Sequence, residues 1–279
     1  MNAIPVFMYH HVNRHEGDRV TLSPRDFEAH LRVLKKRGFR TLFLDELGRI
    51  LGKEEKPGQP SVVLTFDDGH LDNWVFAFPL LRKYGMKATI FVITSWMGEG
   101  EKRSLWDPDG PEGDLPPILR HKEVKRRAAD GDITIALNWE EALAMEASGL
   151  VDIQSHTHFH RHYFLPRGRG VQLDLSKRDF LQEDLVRSKE LIEKRLRKKC
   201  RFLSWPWGEY DEEARALALN LGFEGQVTTE KGVNYPGSDV MAIKRVVTKT
   251  GGGGWFSRRL TIYSQRTLGR LYGRVGGIL

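Results

Sequence analysis

Residues 61–69 read Ser-Val-Val-Leu-Thr-Phe-Asp-Asp-Gly, a mostly apolar run that ends in two adjacent acids and a glycine. A run that is apolar throughout, rather than alternating, is typical of a strand covered on both faces of a parallel sheet. The carboxyl ends of such strands form the active-site face of α/β folds, so Asp67 and Asp68 are candidate site residues. Two carboxylates at that position repel each other unless a cation or a proton compensates. The alternative is a helix N-cap pair with a turn at Gly69.

Similar short runs recur along the chain and alternate with amphipathic stretches that have N-capping residues or a helical apolar period. This β-α alternation predicts an α/β fold, as a parallel barrel or a doubly wound sheet. The other predicted strands are 4–10, 40–43, 87–93, 151–155, 202–205, 223–228 and 240–246. The predicted helices are 24–37 after Ser23, 138–148 opened by Asn138 with Glu141, 176–199, and a short one opened by Asp211.

The composition limits both the class of protein and the ligands of any metal. The chain has 279 residues, of which 40% are apolar and 29% are charged. These values exclude a disordered chain, a fibre and a multi-span membrane protein. The single cysteine, Cys200, excludes an intrachain disulfide and a thiolate cluster, so a metal would be held by His, Asp or Glu. The net charge of +7 makes polyanions and anionic lipid surfaces candidate partners.

A second candidate motif is the histidine-rich segment 155–162, Ser-His-Thr-His-Phe-His-Arg-His, directly after the predicted strand 151–155. The pairs His156/His160 and His158/His162 are four residues apart, a spacing that places two imidazoles on one face of a helical turn. Imidazole together with carboxylate is the ligand set expected for Zn²⁺ and similar ions. The alternative is a solvated polar loop.

The third motif is Ser204-Trp-Pro-Trp-Gly208, which follows another predicted strand. An aromatic–proline–aromatic turn forms a rigid wall on which a sugar ring can stack, and Trp205, Pro206 and Trp207 are the candidates for that contact. Trp96, just beyond the strand 87–93, is a further candidate. The alternative is a turn that caps the core.

Two segments depart from the β-α rhythm. Segment 99–132 is rich in Gly, Pro and charge, and we interpret it as an inserted loop that is a candidate lid. Segment 251–279 begins with four glycines, predicted to be a flexible joint, and continues as a basic amphipathic tail with five Arg and no Asp, Glu or Lys. Such a tail is typical of contact with an anionic membrane surface, the alternative being a helix packed on the barrel.

The three motifs together resemble those of the polysaccharide deacetylases, the carbohydrate esterases of family four with a NodB homology domain. The resemblance covers about residues 4–247. It implies a distorted (β/α)7-8 barrel of mainly parallel strands as a single domain over 1–250, followed by the tail 251–279. It also implies a hydrolase that removes acetyl groups from N-acetylated sugars with one divalent metal ion, expected to be Zn²⁺, with Co²⁺, Ni²⁺ or Fe²⁺ as alternatives.

The resemblance assigns roles to four residues by position. Asp67 would be the general base, and Asp68, His156 and His160 would ligate the metal. Three protein ligands leave open positions for water and substrate, as a hydrolytic site requires. His158 is left without a ligand role and is expected to support the site.

The chain departs from the common family pattern at two positions. The arginine that usually braces the base is missing from the third motif, and Arg245 is the candidate replacement. No histidine follows His162, so the late histidine that supplies the general acid is also missing. The opening Met8-Tyr-His-His-Val12 resembles the circularly permuted branch that includes poly-N-acetylglucosamine deacetylases, in which this acid comes from the first strand. His10 matches it, with His11 as its neighbour and alternative.

These observations lead to one main functional hypothesis and two alternatives. The main one is an N-deacetylase acting on N-acetylhexosamine in a polysaccharide or glycolipid, with no nucleic acid partner. The alternatives are an amidase or esterase for another acylated substrate and a non-catalytic glycan-binding relative. Residues 1–12 do not resemble a signal peptide, which predicts a cytoplasmic protein, associated through its tail with the inner face of the membrane. A periplasmic or secreted location is expected instead if a signal peptide was removed.

Overall fold

The uniformly apolar runs form one curled parallel sheet. The computed structural model describes residues 3–15, 17–56, 58–111, 113–168, 170–248 and 251–275. The interior strand Ser61–Phe66 of this sheet is buried at all six positions, as the sequence predicts for a strand covered on both faces. In chain order the strands are β1 (Val6–Tyr9), β2 (His11–Val12), β3 (Thr21–Leu22), β4 (Arg40–Leu42), β5 (Ser61–Phe66), β6 (Ala88–Val92), β7 (Val151–Ser155), β8 (Phe164–Arg167), β9 (Gly170–Leu173), β10 (Phe202–Ser204), β11 (Gly225–Val227) and β12 (Val246–Val247).

The strand order explains how the sheet curls into a half-barrel. Seven strands follow the order β11-β10-β7-β6-β5-β1-β12, with β4 paired to the first half of β5, and all these pairings are parallel. The first strand therefore lies beside the last, and a parallel bridge from Val227 to Ile243 brings the two edges together. The predicted α/β class and distorted barrel of mainly parallel strands are confirmed.

Helices surround the sheet, and three of them start at the predicted capping residues Ser23, Asn138 and Asp211. Ser23 accepts a hydrogen bond from the backbone N–H of Asp26, and Asn138 forms a capping box with Glu141. The helices are α1 (Pro24–Lys36), α2 (Leu44–Leu51), α3 (Phe78–Tyr84, preceded by a π turn at Asn73–Ala77), α4 (His121–Ala129), α5 (Trp139–Ala147), α6 (Arg178–Leu196), α7 (Glu212–Asn220), α8 (Gly253–Tyr263) and α9 (Arg266–Val275).

Three stretches differ from the sequence predictions. The predicted strand 240–246 is a 3₁₀ turn at Val240–Ala242, and β12 starts only at Val246, because the Asp239 side chain accepts from the backbone N–H of Met241 and begins a turn there. The segment 99–132, predicted as a loop, contains the helix α4. Glu112 of this segment lies outside the described residues. The hairpin β8–β9 was not predicted from the sequence.

The tail packs on the barrel through its first helix. Phe256, Leu260 and Tyr263 of α8 are buried, and the Gly251 carbonyl accepts a hydrogen bond from His30 Nε2 at 2.7 Å. The prediction of a flexible joint at 251–254 is therefore wrong, because Gly253 already belongs to α8. Residues 276–279 lie outside the described part, and membrane contact through 251–279 stays a prediction. None of the described helices combines the length and the apolarity that a bilayer span requires.

Candidate active site

Neighbouring parallel strands bring the sequence motifs to one edge of the sheet. Tyr9 of β1 pairs with Phe66 of β5, so the next residues, His10 and Asp67, follow adjacent strand ends. Leu203 of β10 pairs with Ser155 of β7, which places the histidine-rich segment beside the aromatic turn in the same way. The motifs that are distant in the chain therefore converge, as predicted.

The backbone of these loops is unusually often left-handed. Among the described residues, six non-glycine residues have a positive φ, and four of them carry or adjoin the motifs: Asp68 (74°), Thr157 (66°), His160 (52°) and Trp207 (55°). Each such residue costs on the order of 1–3 kcal/mol, and this strain is typical of functional sites. Gly69 also has a positive φ of 69°, and a Cβ there would lie 2.8 Å from Val92 Cγ1, so only glycine fits behind the two acids.

Asp68, His156 and His160 form a cluster with the geometry of a metal centre. Their ligand atoms all lie within 4.8 Å of one another. Asp68 Oδ1 is 3.3 Å from His156 Nε2 and 3.8 Å from His160 Nε2. Segment 156–160 is an irregular loop, not a helical turn, so the interpretation of its spacing as one helix face is wrong. The left-handed residues Thr157 and His160 turn the two imidazoles toward the same point instead.

Two of the three groups in this cluster, Asp68 and His160, are in the form that binds a cation, whereas the charges of Asp67 and Asp68 raise the pKa of His156 despite its burial. His156 Nδ1 donates to the Ser204 carbonyl at 2.8 Å, which leaves Nε2 for a ligand. Burial raises the pKa of Asp68, but the neighbouring imidazoles of His156 and His70 outweigh it and hold the pKa well below its usual range. Burial, with His156 nearby, lowers the pKa of His160 to about 3, so its imidazole is neutral at pH 7. One carboxylate and two imidazoles are a donor set that fits Zn²⁺, Co²⁺, Ni²⁺ or Fe²⁺.

Asp67 forms a buried, bidentate ion pair with Arg245. The guanidinium nitrogens lie 2.7 Å from Oδ1 and 2.8 Å from Oδ2, and Arg245 is fully buried. Arg245 also donates to the Thr228 carbonyl at 2.8 Å and to Ser204 Oγ at 3.1 Å. Burial raises the pKa of Asp67, but the Arg245 charge outweighs it, so the net pKa is lowered and the carboxylate is ionised at neutral pH. Arg245 therefore holds the Asp67 carboxylate in place, the role for which the sequence analysis names it as a candidate.

His10 lies within the electrostatic reach of both acids and is partly exposed. Burial lowers its pKa, the charges of Asp68 and Asp67 raise it, and the net pKa is below the ordinary value. The imidazole is therefore mostly neutral at pH 7, and it has to take up a proton before it can act as an acid. His11, the alternative acid, is committed elsewhere, because its Nδ1 bonds Asp72 Oδ2 at 2.7 Å and its Nε2 faces His121.

Only part of the aromatic turn reaches solvent. Trp207 is 43% exposed and stacks on His162 at a ring distance of 3.5 Å. Trp205 is buried, and its Nε1 donates to Gln226 Oε1 at 2.8 Å, while Pro206 is buried as well. The prediction that Trp205 and Pro206 contact sugar is therefore wrong. Trp96 is partly exposed, and its ring lies 6.3 Å from the His160 ring. Trp96 and Trp207 therefore form an aromatic rim beside the Asp68–His156–His160 cluster.

The sequence of the chain matches a known family. The sequence model of the family Polysaccharide deacetylase matches residues 54–225, which is more than half of the chain. This chain belongs to the polysaccharide deacetylase family. That membership agrees with the resemblance drawn from the motifs.

Individual relatives of this deacetylase cover most of the chain. It is 28% identical over 248 residues to YxkH of Bacillus subtilis (strain 168), described as a polysaccharide deacetylase, covering 89% of this chain and 72% of that protein. It is 23% identical over 249 residues to a poly-beta-1,6-N-acetyl-D-glucosamine N-deacetylase of Staphylococcus aureus (strain MSSA476), covering 88% of this chain and 74% of that one.

Solved structures share the fold at low sequence identity. The Streptococcus pyogenes deacetylase PplD, in complex with acetate, has a TM-score of 0.71 at 22% identity, with 94% of this chain and 98% of that chain covered. IcaB from Ammonifex degensii also has a TM-score of 0.71 at 22% identity, with 95% and 98% covered. At this level of sequence identity, the two structures show that the fold is shared.

Two supporting features of this deacetylase differ from or add to the sequence analysis. His158 is bonded away from the Asp68–His156–His160 cluster, with Nδ1 at 2.8 Å from Thr94 Oγ1. The buried Asp184 of α6 accepts from the backbone N–H groups of His158 and Phe159 and from the Tyr163 hydroxyl, and so fixes the histidine-rich loop. Sequence reasoning missed Asp184, although an acid on the apolar face of a helix was the available signal.

Proposed function

We propose that this protein is a divalent-metal-dependent hydrolase that removes acetyl groups from N-acetylated sugar units of a polysaccharide. The observation that carries the proposal is the Asp68–His156–His160 cluster beside a buried, Arg-braced Asp67. An Asp base next to three metal ligands with open positions is the arrangement of a metal-assisted hydrolase.

The chemistry divides among the residues of the chain. A divalent ion bound by Asp68, His156 and His160 would polarise the acetamide carbonyl and lower the pKa of water. Asp67 accepts the proton of the water that adds to the carbonyl carbon, and Arg245 holds this carboxylate ionised and oriented. His10, once it has taken up a proton from solvent, donates that proton to the sugar nitrogen as the C–N bond breaks. The products are acetate and a free amine.

The substrate class is supported by the exposed aromatic rim and by a relative. Trp207 offers an exposed ring beside His160, at a ring distance of 4.3 Å. The similar S. aureus protein is named as an N-deacetylase of poly-beta-1,6-N-acetyl-D-glucosamine. We therefore propose N-acetylglucosamine units as the substrate, in a polysaccharide or a lipid-linked glycan.

The proposal is tested by acetate release from N-acetylglucosamine oligomers, compared with a panel of small amides and esters. Acetate release from the oligomers alone supports the proposal. Faster turnover of the small amides or esters would instead indicate the amidase or esterase alternative. Tight binding of oligomers without turnover at saturating zinc would indicate the glycan-binding alternative, which the complete set of site residues disfavours.

The first predicted variant removes one ligand. His160→Ala is expected to lose the metal at this centre and to reduce acetate release to background, because two ligands hold a divalent ion weakly. Metal analysis after gel filtration and an acetate assay measure the two effects. His162→Ala, two residues further along the chain at an exposed position, serves as the metal-binding control. Full activity of His160→Ala with metal retained would contradict the ligand assignment.

The second predicted variant tests the aromatic rim. Trp207→Ala is expected to raise KM for oligomers roughly tenfold, about 1.4 kcal/mol, with kcat changed much less, because a stacked ring binds the sugar equally in the ground state and the transition state. Trp207→Phe keeps an aromatic face at the same left-handed position and is expected to retain most of the affinity. Steady-state kinetics on oligomers measure both. A fall in kcat with unchanged KM would refute the stacking role.

A further inference from the structure

A second group of three histidines lies beside the proposed catalytic centre, and its members take no part in the chemistry described above. His11, His70 and His121 have ligand nitrogens that all lie within 4.8 Å of one another. They adjoin a cavity of about 300 Å³ that is lined by His11 and His70 and by apolar side chains such as Ile118 and Ile135. We propose that His11, His70 and His121 form a second transition-metal site, of the Zn²⁺ class, that ties helix α4 to the barrel.

His70 contributes a nitrogen that has no partner in the described structure. Its Nε2 lies 3.1 Å from Asp68 Oδ2, and because a carboxylate oxygen accepts, Nε2 is the donor in this contact. The other ring nitrogen, Nδ1, is then an acceptor with a free lone pair. It is buried and lacks a hydrogen-bond partner among the described residues. Such a buried, unsatisfied acceptor is costly, and a bound cation would satisfy it.

His11 is oriented as a metal ligand by a buried carboxylate. Its Nδ1 lies 2.7 Å from Asp72 Oδ2, and Asp72 is itself held by the side-chain amides of Asn13 at 2.6 Å and Asn73 at 3.0 Å. A carboxylate that accepts from one ring nitrogen while the other faces a metal is the usual support of a ligating histidine. The Asp72 partner therefore directs His11 Nε2 into the cluster.

One of the three nitrogen separations fits a tetrahedral ion, whereas the His11 and His70 rings are stacked with their centroids 3.7 Å apart, so one of these rings would have to turn for both to face the same ion. His11 Nε2 and His121 Nδ1 are 3.2 Å apart. Two nitrogens bound to Zn²⁺ at about 2.0–2.1 Å in tetrahedral geometry are about 3.3 Å apart. A hydrogen bond from a doubly protonated His11 to His121 gives the same distance, but it leaves His70 Nδ1 unsatisfied. A cation accounts for all three nitrogens. Three imidazoles without a carboxylate favour Zn²⁺, Co²⁺, Ni²⁺ or Cu²⁺ over Mg²⁺ or Ca²⁺.

The site would connect three separate parts of the chain. His11 belongs to β2, His70 follows the two acids after β5, and His121 is the first residue of α4 in the segment 99–132. The ion would therefore anchor that helix to the barrel. Since His70 also bonds Asp68, it would link the second site to the proposed catalytic ligands. The role assigned to this ion is structural, so its effect is measurable without an activity assay.

The test is a count of bound metal per chain in the full-length protein. Metal-free protein is titrated with Zn²⁺ by calorimetry and with Co²⁺ by visible absorption, and the ions retained after gel filtration are counted. The variants are His121→Ala, His160→Ala and their combination. His121 is only partly buried, so its removal is compatible with folding, which circular dichroism verifies. His15→Gln is the matched control, since His15 lies in the same region but bonds the Ile118 carbonyl at 2.7 Å.

Two bound ions are expected for wild type and for His15→Gln, one for each of His121→Ala and His160→Ala, and none for the double variant. Added Zn²⁺ is also expected to raise the melting temperature of His160→Ala but not of the double variant. One ion in wild type that His121→Ala retains would overturn the second site. One ion that is lost in His121→Ala but kept in His160→Ala would support the second site and contradict the proposed catalytic metal centre instead.

Discussion

Asp67→Asn is expected to reduce the rate of acetate release by about 10²–10⁴-fold, the usual contribution of a general base. Asparagine keeps an oxygen that can accept from Arg245, but it cannot take a proton from water. Asp68, His156 and His160 are untouched, so the metal content of the variant is expected to equal that of wild type. Acetate release measured at saturating metal and substrate gives the loss in kcat.

The control for this variant separates chemistry from folding. A neutral amide in place of the Asp67 carboxylate would leave the buried Arg245 charge without its ionised partner, so some stability is lost together with the base. Denaturant unfolding and metal content are therefore measured on the same preparation. If folded, fully metallated Asp67→Asn released acetate at a rate close to that of wild type, Asp67 would not be the base, and the proposed division of roles would be wrong.

The parts of the site that lie directly after strands were predictable from the sequence. Asp67, Asp68 and His156 follow mostly apolar runs, and parallel strands deliver their carboxyl ends to one edge of the sheet. The position of each of these residues follows from the apolar pattern of the preceding strand and from the parallel order of the strands in the sheet. The pairing of β1 with β12 likewise follows from closing the first strand against the last.

The direction of a side chain within a turn was not predictable. Trp205 and Trp207 are two residues apart, and in an extended strand they would face the same side. In the structure Pro206 starts a 3₁₀ turn and Trp207 takes a left-handed φ of 55°, which directs one ring into the core and the other to solvent. Backbone conformation at a single residue therefore decides which tryptophan is available to a sugar.

Long-range partners were also beyond the sequence. His121 joins His11 across 110 positions of the chain, His70 lies between them in sequence, and no local pattern marks the three as neighbours. Arg245 was a candidate only because the third motif lacks the usual arginine, and its sequence neighbours give no sign that it is buried. The burial of Arg245 could be predicted only from its ion pair with Asp67, and that pair is formed by the tertiary fold between residues that are distant in the chain.

Arg245→Leu is expected to lower the free energy of unfolding by about 3–5 kcal/mol, the usual cost of removing one partner of a buried ion pair. The Asp67 carboxylate would be left buried without the charge that lowers its pKa. Chemical denaturation measures the loss. The matched control is the neighbouring Lys244→Leu, because Lys244 pairs with Glu230 at 3.4 Å on an exposed surface, where a pair contributes at most about 1 kcal/mol.

A double variant separates the pair from the packing around it. Arg245→Leu combined with Asp67→Leu removes both buried charges, so it is expected to be more stable than Arg245→Leu alone and to remain inactive. Stability that recovers without activity would show that Arg245 serves chiefly to keep a buried base ionised. If Arg245→Leu instead lost no more stability than Lys244→Leu, the 2.7 Å and 2.8 Å contacts with Asp67 would not be a buried ion pair in solution, and the bracing role of Arg245 would be refuted.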